Sequence, residues 1–393
     1  MATMKTAPEL SNTDTCKGTV AIYLPQLRIG GAEISTVNLA NGLRGSGFKV
    51  WIVVHVTDHS LDDRLRDIEV VDLQVPNSLQ ALPALMRFLN VKKPDVLISA
   101  LTHNNLIAAL ARTFAASPSL LIMTEHAPVT QQIELMGGVR YRVLPVLIPL
   151  LYPLADAIVA VSRGVQQDLK QIMWRRAELL SVIYNPVLPQ HWQALSSAPI
   201  ADPWFQLNAP PVVLSVGRLR TEKNFPMLID AFARLRTTHP AMRLAILGDG
   251  PEKPALQAQI DTLGLQAHAR LLGAVPNPLA YMRRSTLFVL ASVHEGFGNV
   301  LVEAMACGLK VISTDCPVGP REVLDGGRFG TLVPVGDADA LLAAMRAALD
   351  DKADPADTAQ SVSHAMQFTV ERCVQDFIAL FATIRARKSN QPG

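Results

Sequence analysis

The sequence predicts an α/β protein: two doubly wound parallel-sheet domains facing each other across a cleft. Three observations lead there. Short apolar runs rich in Val, Ile and Leu alternate with helical runs, the pattern of parallel sheets covered on both faces. Near residue 186 the alternation gives way to a stretch rich in Pro, Ser and Ala with no clear period, and then it restarts. The length of 393 residues suits two or three domains, at roughly 150 residues each.

In the first half, GTVAIYLP reads as a strand and AEISTVNLANGLRGSG as a helix that ends at a glycine. FKVWIVVHV, PDVLISAL and SLLIMTEH follow as strands. SLQALPALMRFLNVKK and NLIAALARTFAA are the helices between them. The stretch LPVLIPLLYPLADAIVAV, Leu144 to Val161, is nearly all apolar, but Pro145, Pro149, Pro153 and Asp156 interrupt it. A spanning helix needs about 20 uninterrupted apolar residues, so a short helix, a break near Pro153 and a buried strand are expected. Arg140 and Arg142 precede that helix. It reads either as a core helix or as one lying on an anionic membrane surface, and both readings stay open here.

In the second half the strands are PVVLSVG, RLAILGDG, ARLLGAV, LFVLAS, KVISTD and GTLVPV. Helices such as FPMLIDAFARLRTTHP, KPALQAQIDTLG and DADALLAAMRAALDD lie between them, and a last helix around 364–386 has room to cross back to the first half. The expected organisation is a flexible tail at 1–17, an N-terminal domain at 18–190 and a linker at 191–209. A C-terminal domain at 210–363 follows, then a C-terminal helix and tail at 364–393 packing back on the N-domain. In such Rossmann-like sheets, ligands bind beyond the carboxyl ends of the strands. Two facing domains therefore define a cleft for small molecules.

Hydrophobic residues make up 49% of the chain, enough for a full core, which excludes a disordered protein. The formal net charge of +2 gives no global reason to expect a nucleic-acid partner. Cys16, Cys307, Cys316 and Cys373 form no C-x-x-C pair and no zinc spacing with histidine. A reducing cytoplasm without structural disulfides fits that usage. The first residues, MATMKTAPELSNTDTCKGT, lack the apolar core of a secretory signal.

Three loops carry candidate chemistry. RIGGAEIS follows the first strand, and its Gly30 and Gly31 let the backbone approach a ligand at a helix N-terminus. SVGRLRTEKNF follows the first strand of the second half, and Arg218 and Lys223 there can clamp a diphosphate. HEGFGNVLVEAMACG places Glu295 before a helix and Glu303 inside it, with Asn299 as the expected cap and Gly308 as the stop. At 1.5 Å rise per residue the two carboxylates lie on the order of 12 Å apart, flanking a glycine-rich helix N-terminus that favours an anion. Carboxylate, anion site, carboxylate matches the order sugar, diphosphate, ribose in a nucleotide sugar. DAD at 337–339 looks like a metal-binding pair, but capping by Asp337 explains it better. A dinucleotide oxidoreductase lacks support: there is no G-x-G-x-x-G, and that reading leaves Glu295 and Glu303 unexplained.

GGAE, GRLRTEKN, ILGDGP, EGFGNVLVEAMACGLKVIST and FGTLVPVGD occur in the order seen in retaining glycosyltransferases of family 4, with the GT-B fold. AVSRGVQQDL and IYNPV also resemble that family, and the likeness runs from about 18 to 385. It implies that Gly31 gives a backbone N–H to the donor phosphate, and that Arg218 and Lys223 neutralise the diphosphate. Glu295 would face the donor sugar, beside backbone contacts from Gly296, Phe297, Gly298, Asn299 and Val300. Glu303 would hold the ribose hydroxyls, and Gly273, Ala274 and Val275 would border the base. His126, in TEHAP, is similar to a family histidine close to the transferred sugar. The resemblance further implies a nucleotide-sugar donor, most commonly UDP-linked, with no metal and no other cofactor. The acceptor would be a glycan or a lipid-linked saccharide. Transfer would retain configuration, in the cytoplasm or at the inner face of its membrane. A non-catalytic protein that binds sugar nucleotides with the same fold is the rival reading.

Overall fold

The computed structural model describes residues 16–390 except 29, 58–59, 77, 137 and 352–353. Side chains at 78–79, 135–136 and 139–140 also lie outside that description, as does most of the expected tail at 1–17. The chain forms two parallel sheets. The first contains β1 (Thr19–Leu24), β2 (Lys49–Val54), β3 (Glu69–Asp72), β4 (Val96–Ala100), β5 (Leu120–Glu125), β6 (Ala157–Ala160) and β7 (Leu180–Val182), in the order 3-2-1-4-5-6-7. The second contains β8 (Val212–Val216), β9 (Arg243–Leu247), β10 (Ala269–Gly273), β11 (Leu287–Leu290), β12 (Lys310–Thr314) and β13 (Thr331–Val333), in the order 10-9-8-11-12-13. Each order reverses once, between β1 and β4 and between β8 and β11. Crevices open at such switch points. The central strands are buried on both faces, which is why they read as unbroken apolar runs.

Two strands escape the sequence reading. β3 is a half-exposed edge strand bracketed by Glu69 and Asp72, and β7 has only three residues. Neither has the length or the apolar continuity to stand out.

The linker expectation needs correction. Residues 191–209 hold a helix, Trp192–Ser197, and a 3-10 turn, Pro203–Phe205, with Trp204 and Phe205 buried. Arg243 and Arg270 lie over the Trp204 ring at 4.8 and 4.3 Å, fixing this segment to the second domain. The C-terminal boundary shifts too. Helix Pro355–Ala365 stays with the second domain, beside helix Asn299–Ala306, and the crossing falls at 366–370. There the two connections pair: Val187 and Leu188 donate to the Phe368 carbonyl at 2.9 and 3.1 Å, and Val370 donates to Leu188 at 2.9 Å.

The last helix, Val370–Ser389, does return to the first domain. Val370, Cys373, Val374, Phe377, Phe381 and Ile384 form its buried stripe. It crosses helix Gly31–Gly45 at Gly42, where a Cβ would stand 2.6 Å from Val370 and Val374. Asp156, the acid that interrupts the apolar stretch, meets Lys388 at 2.7 Å and accepts from the Leu121 N–H at 2.8 Å.

That apolar stretch folds as helix Leu144–Leu151, a turn at Tyr152–Leu154, and β6. Leu144, Ile148 and Tyr152 are buried. Val143, Val146, Leu150 and Leu154, on the other face, are exposed. Among the described residues no helix is long and apolar enough to cross a membrane.

Candidate active site

The carboxyl ends of the two sheets face each other, and the loops after β8 and β11 are tied together. Val293 donates its N–H to the Glu222 carbonyl at 2.8 Å. That bond sets Lys223 beside Glu295: Nζ lies 2.6 Å from Oε1, and the Ser292 hydroxyl donates to the same oxygen at 2.7 Å. Both side chains are largely covered, with 18% and 10% exposure. A pair so close and so sheltered is strong, and it loses much if one partner goes. Sequence reasoning names both residues but assigns Lys223 to the diphosphate and Glu295 to the sugar. The structure joins them.

Arg218 has a different partner. Its guanidinium lies 3.4 Å from Glu33 of helix Gly31–Gly45, across the cleft. Gly30 makes room for it: a Cβ there would stand 1.9 Å from Nη2. Gly31 opens that helix, with Gly30 in extended conformation before it. The glycine pair thus serves close approach of an arginine as well as the turn. Behind Arg218, the Leu219 N–H bonds the Asp249 carbonyl at 3.0 Å, and the Gly248 N–H bonds Gly273 at 2.8 Å. The ends of β8, β9 and β10 therefore stack, and Gly273, Ala274 and Val275 lead to Pro276 at one end of the cleft. The Pro276 carbonyl accepts from Arg64 of the first domain.

Asn299 is not the cap of its helix. Gly298, at φ 96°, takes that position and Asn299 is the first helical residue. Its amide donates instead to Ser35 Oγ at 2.9 Å and to the Gly31 carbonyl at 3.2 Å, and its Oδ1 accepts from Asn185 at 3.0 Å. The first N–H groups of helix Asn299–Ala306, Val300 included, have no intrahelical partner and suit an anion. Phe297 packs its ring against Tyr184 and Phe368, at centroid distances of 5.7 and 5.4 Å. It contributes backbone to the cleft and a side chain to packing.

His126 follows β5 and faces this loop. A Cβ on Gly296 would stand 1.9 Å from the His126 carbonyl oxygen, so only glycine fits. The ring Nε2 lies 3.2 Å from Thr124 Oγ1, and Nδ1 is covered with no partner among the described residues. Burial lowers its pKa from 6.5 to about 4, so the imidazole is neutral near pH 7. A neutral imidazole carries one donor and one acceptor nitrogen. Glu303 is half-buried, one helical turn beyond Asn299, and burial raises its carboxyl from 4.5 to about 7, with Arg64 pulling the other way.

Sequence reading passed over Glu33, Ser35, Arg64, Ser162, Asn185 and Glu322, all of which bond across the cleft. Their signal is weak because each looks like a solvated surface residue until the opposite domain is in place. DAD at 337–339 behaves as expected: Asp337 caps helix Ala338–Asp350 by accepting from Ala340 N–H at 2.8 Å.

Two doubly wound domains with a phosphate-suited helix N-terminus between carboxylates define a GT-B architecture. Solved structures of that class superpose on it. An Anabaena protein, HepE, in complex with UDP-glucose gives a TM-score of 0.77 at 23% identity, covering 93% of this chain and 100% of that one. Sucrose-phosphate synthase from Thermosynechococcus elongatus gives 0.77 at 20%, covering 94% and 100%. At these identities the likeness is one of fold.

The sequence models described as Glycosyltransferase Family 4 and Glycosyl transferases group 1 match residues 29–191 and 202–364. The chain belongs to this glycosyltransferase family. One curated relative is the N-acetylgalactosamine-N,N'-diacetylbacillosaminyl-diphospho-undecaprenol 4-alpha-N-acetylgalactosaminyltransferase of Campylobacter jejuni. It is 35% identical over 253 residues, 64% of this chain and 66% of the relative. Another is the lipopolysaccharide 1,6-galactosyltransferase of Salmonella typhimurium, 34% identical over 193 residues, 47% and 50% of the two chains. The matches thus span about half to two thirds of these relatives' lengths.

Proposed function

We propose that the chain is a retaining glycosyltransferase using a UDP-hexose or UDP-N-acetylhexosamine. It would act on a hydroxyl of a glycan or lipid-linked saccharide, in bacterial polysaccharide or glycoconjugate synthesis. The observation that carries this reading is the Lys223–Glu295 pair. It lies beside the helix N-terminus at Asn299 and opposite His126 of the other domain. The lipid-diphosphate acceptor in the Campylobacter relative's name supports a lipid-linked acceptor here. The UDP-glucose held by the Anabaena protein makes uridine donors the first to test.

In the proposed reaction the diphosphate lies at the N-terminus of helix Asn299–Ala306, between Gly31 and Arg218. Lys223 and Arg218 supply the positive charge, without a metal. The bond from the anomeric carbon to the phosphate oxygen breaks, and its electron pair leaves with the nucleotide. The acceptor hydroxyl attacks from the same face and gives its proton to the departing phosphate oxygen. Neutral His126 and the carboxylate of Glu295 hold hydroxyls of the transferred sugar. Glu303 accepts from the ribose.

A donor panel screened by thermal shift in EDTA is expected to yield a nucleotide sugar that raises Tm, because that ligand binds only the folded chain. NMR of the first product formed from that donor is expected to show unchanged anomeric configuration. Inversion would overturn the assignment.

Peripheral membrane contact is part of the proposal. Val143, Val146, Leu150 and Leu154 present an exposed apolar stripe, with exposed Arg142 before it. Lipid-facing amphipathic helices combine these two features. Replacing Arg140 and Arg142 with glutamate is expected to weaken binding to anionic vesicles in a flotation assay, by about 1 kcal/mol per lost charge. Unchanged binding argues for a soluble acceptor.

A further inference from the structure

Away from the donor residues, at the end of the cleft formed by β6, β7 and β12, one carboxylate joins the two domains. Glu322 lies on the short helix Pro320–Val323 after β12. It reaches the N-terminus of helix Arg163–Ile172 in the first domain, where the Arg163 N–H lies 2.9 Å from each carboxylate oxygen. The Gly164 N–H is 3.4 Å from Oε2, and the Tyr184 hydroxyl donates to Oε1 at 2.9 Å. A carboxylate at a helix N-terminus gains from both the free N–H groups and the helix dipole. Here it comes from the opposite domain. Burial and Glu322 hold the Tyr184 phenol up to about 12, so it remains a donor.

The surrounding residues fit a designed approach. A Cβ at Gly164 would stand 2.7 Å from Val318 of the second domain, so glycine sets this seam's closeness. Ser162, two residues earlier and the N-cap of the same helix, donates to the Gly296 carbonyl at 3.1 Å. Tyr184 also rests on Phe297, at 5.7 Å between centroids. Glu322 is therefore linked through Tyr184 and Ser162 to the Gly296–Phe297 loop that follows Glu295. A cavity of about 310 Å3, lined by Arg163, Tyr184, Arg321, Glu322, His364 and Gln367, opens beside it. It gives the carboxylate room to swing out, which a reversible contact needs.

We propose that Glu322 is a positioning residue: an interdomain latch that closes the cleft and sets the Gly296–Phe297 loop, and with it Glu295, against His126. The reading rests on the glycosyltransferase assignment for its effect on turnover, but its effect on domain closure stands apart from that assignment.

Two variants test it from opposite sides of the seam. Glu322→Ala removes the latch. Gly164→Ala forces the seam apart while favouring its own helix, because alanine is the better helix former. Small-angle X-ray scattering of each, with UDP as the probe ligand, reads closure. Both variants are expected to expand relative to the parent chain and to lose on the order of tenfold in kcat, one order being about 1.4 kcal/mol. UDP affinity by calorimetry should fall less than kcat does, since of the proposed nucleotide contacts only that of Gly31 comes from the first domain. Glu322→Gln keeps one accepting oxygen and is expected to recover part of kcat. Unchanged scattering in both variants overturns the latch, and expansion with unchanged kcat overturns the positioning role. If no donor supports transfer, the functional reading fails while scattering still decides the latch.

Discussion

Replacing Glu295 with glutamine is expected to lower kcat by about 10²–10³, the usual effect of removing one preorganised electrostatic contact from a water-poor site. The reason lies in its surroundings. Oε1 is held by Lys223 at 2.6 Å and Ser292 at 2.7 Å, so one edge of the carboxylate is fixed by the protein. In the proposed complex the other oxygen is turned to the sugar. Glutamine keeps the shape but loses the charge that orders Lys223. Lys223→Ala is expected to cost a similar factor, and the double variant little more than either single one, because residues that act as a unit are not additive. UDP affinity should fall for Lys223→Ala more than for Glu295→Gln. Unchanged transfer by Glu295→Gln would remove Glu295 from the reaction, whereas donor binding without transfer by the parent chain would favour the rival reading, a sugar-nucleotide-binding protein without catalysis.

That pairing also marks where sequence reading stops. The two sheets were legible because buried parallel strands are continuously apolar: PVVLSVG and LFVLAS announce β8 and β11 by composition alone. Glu295 and Lys223 were legible as residues, each at a strand's carboxyl end. Their contact was not, since it depends on the Val293–Glu222 hydrogen bond between segments about seventy residues apart. Asn299 shows the same limit from another side. A local rule makes asparagine before a helix its cap, yet Gly298 takes the cap and Asn299 bonds Ser35 of the other domain. Tertiary context outranked local preference. The glycines were legible as turns, but the sequence does not say that Gly30 faces Arg218, Gly164 faces Val318 and Gly296 faces the His126 backbone. All three stand where one domain meets the other, so closeness between domains is written into residues that read locally as flexibility.

The second large effect concerns Glu303, where binding and stability are expected to move in opposite directions. Its carboxyl is raised from 4.5 to about 7 by burial, with Arg64 opposing. Between those values the folded chain holds a proton on Glu303 that the unfolded chain has released. Folding therefore takes up a proton, and this site's contribution to stability falls as pH rises from about 4.5 to about 7. Above pH 7 the half-buried charge costs roughly 1–3 kcal/mol, at about 1.4 kcal/mol per pKa unit. Glu303→Gln removes that cost. Its Tm is expected to exceed that of the parent chain at pH 8 and to match it near pH 4.5. Donor binding should respond the other way. A carboxylate that accepts from two ribose hydroxyls contributes about 1.5–3 kcal/mol per charged hydrogen bond, so the variant should bind a UDP-sugar at least tenfold more weakly at pH 8. The parent chain's affinity should decline as pH drops through about 7, while the variant's stays flat. Calorimetric titration at pH 6 and pH 8, with melting curves at pH 4.5 and pH 8, checks both halves. A Glu303→Gln chain that binds donor as tightly as the parent at pH 8 would remove Glu303 from the ribose. A stabilised variant that also binds weakly is what a site residue held against its own solvation preference should give, since activity and stability trade off where function needs a charge that folding disfavours.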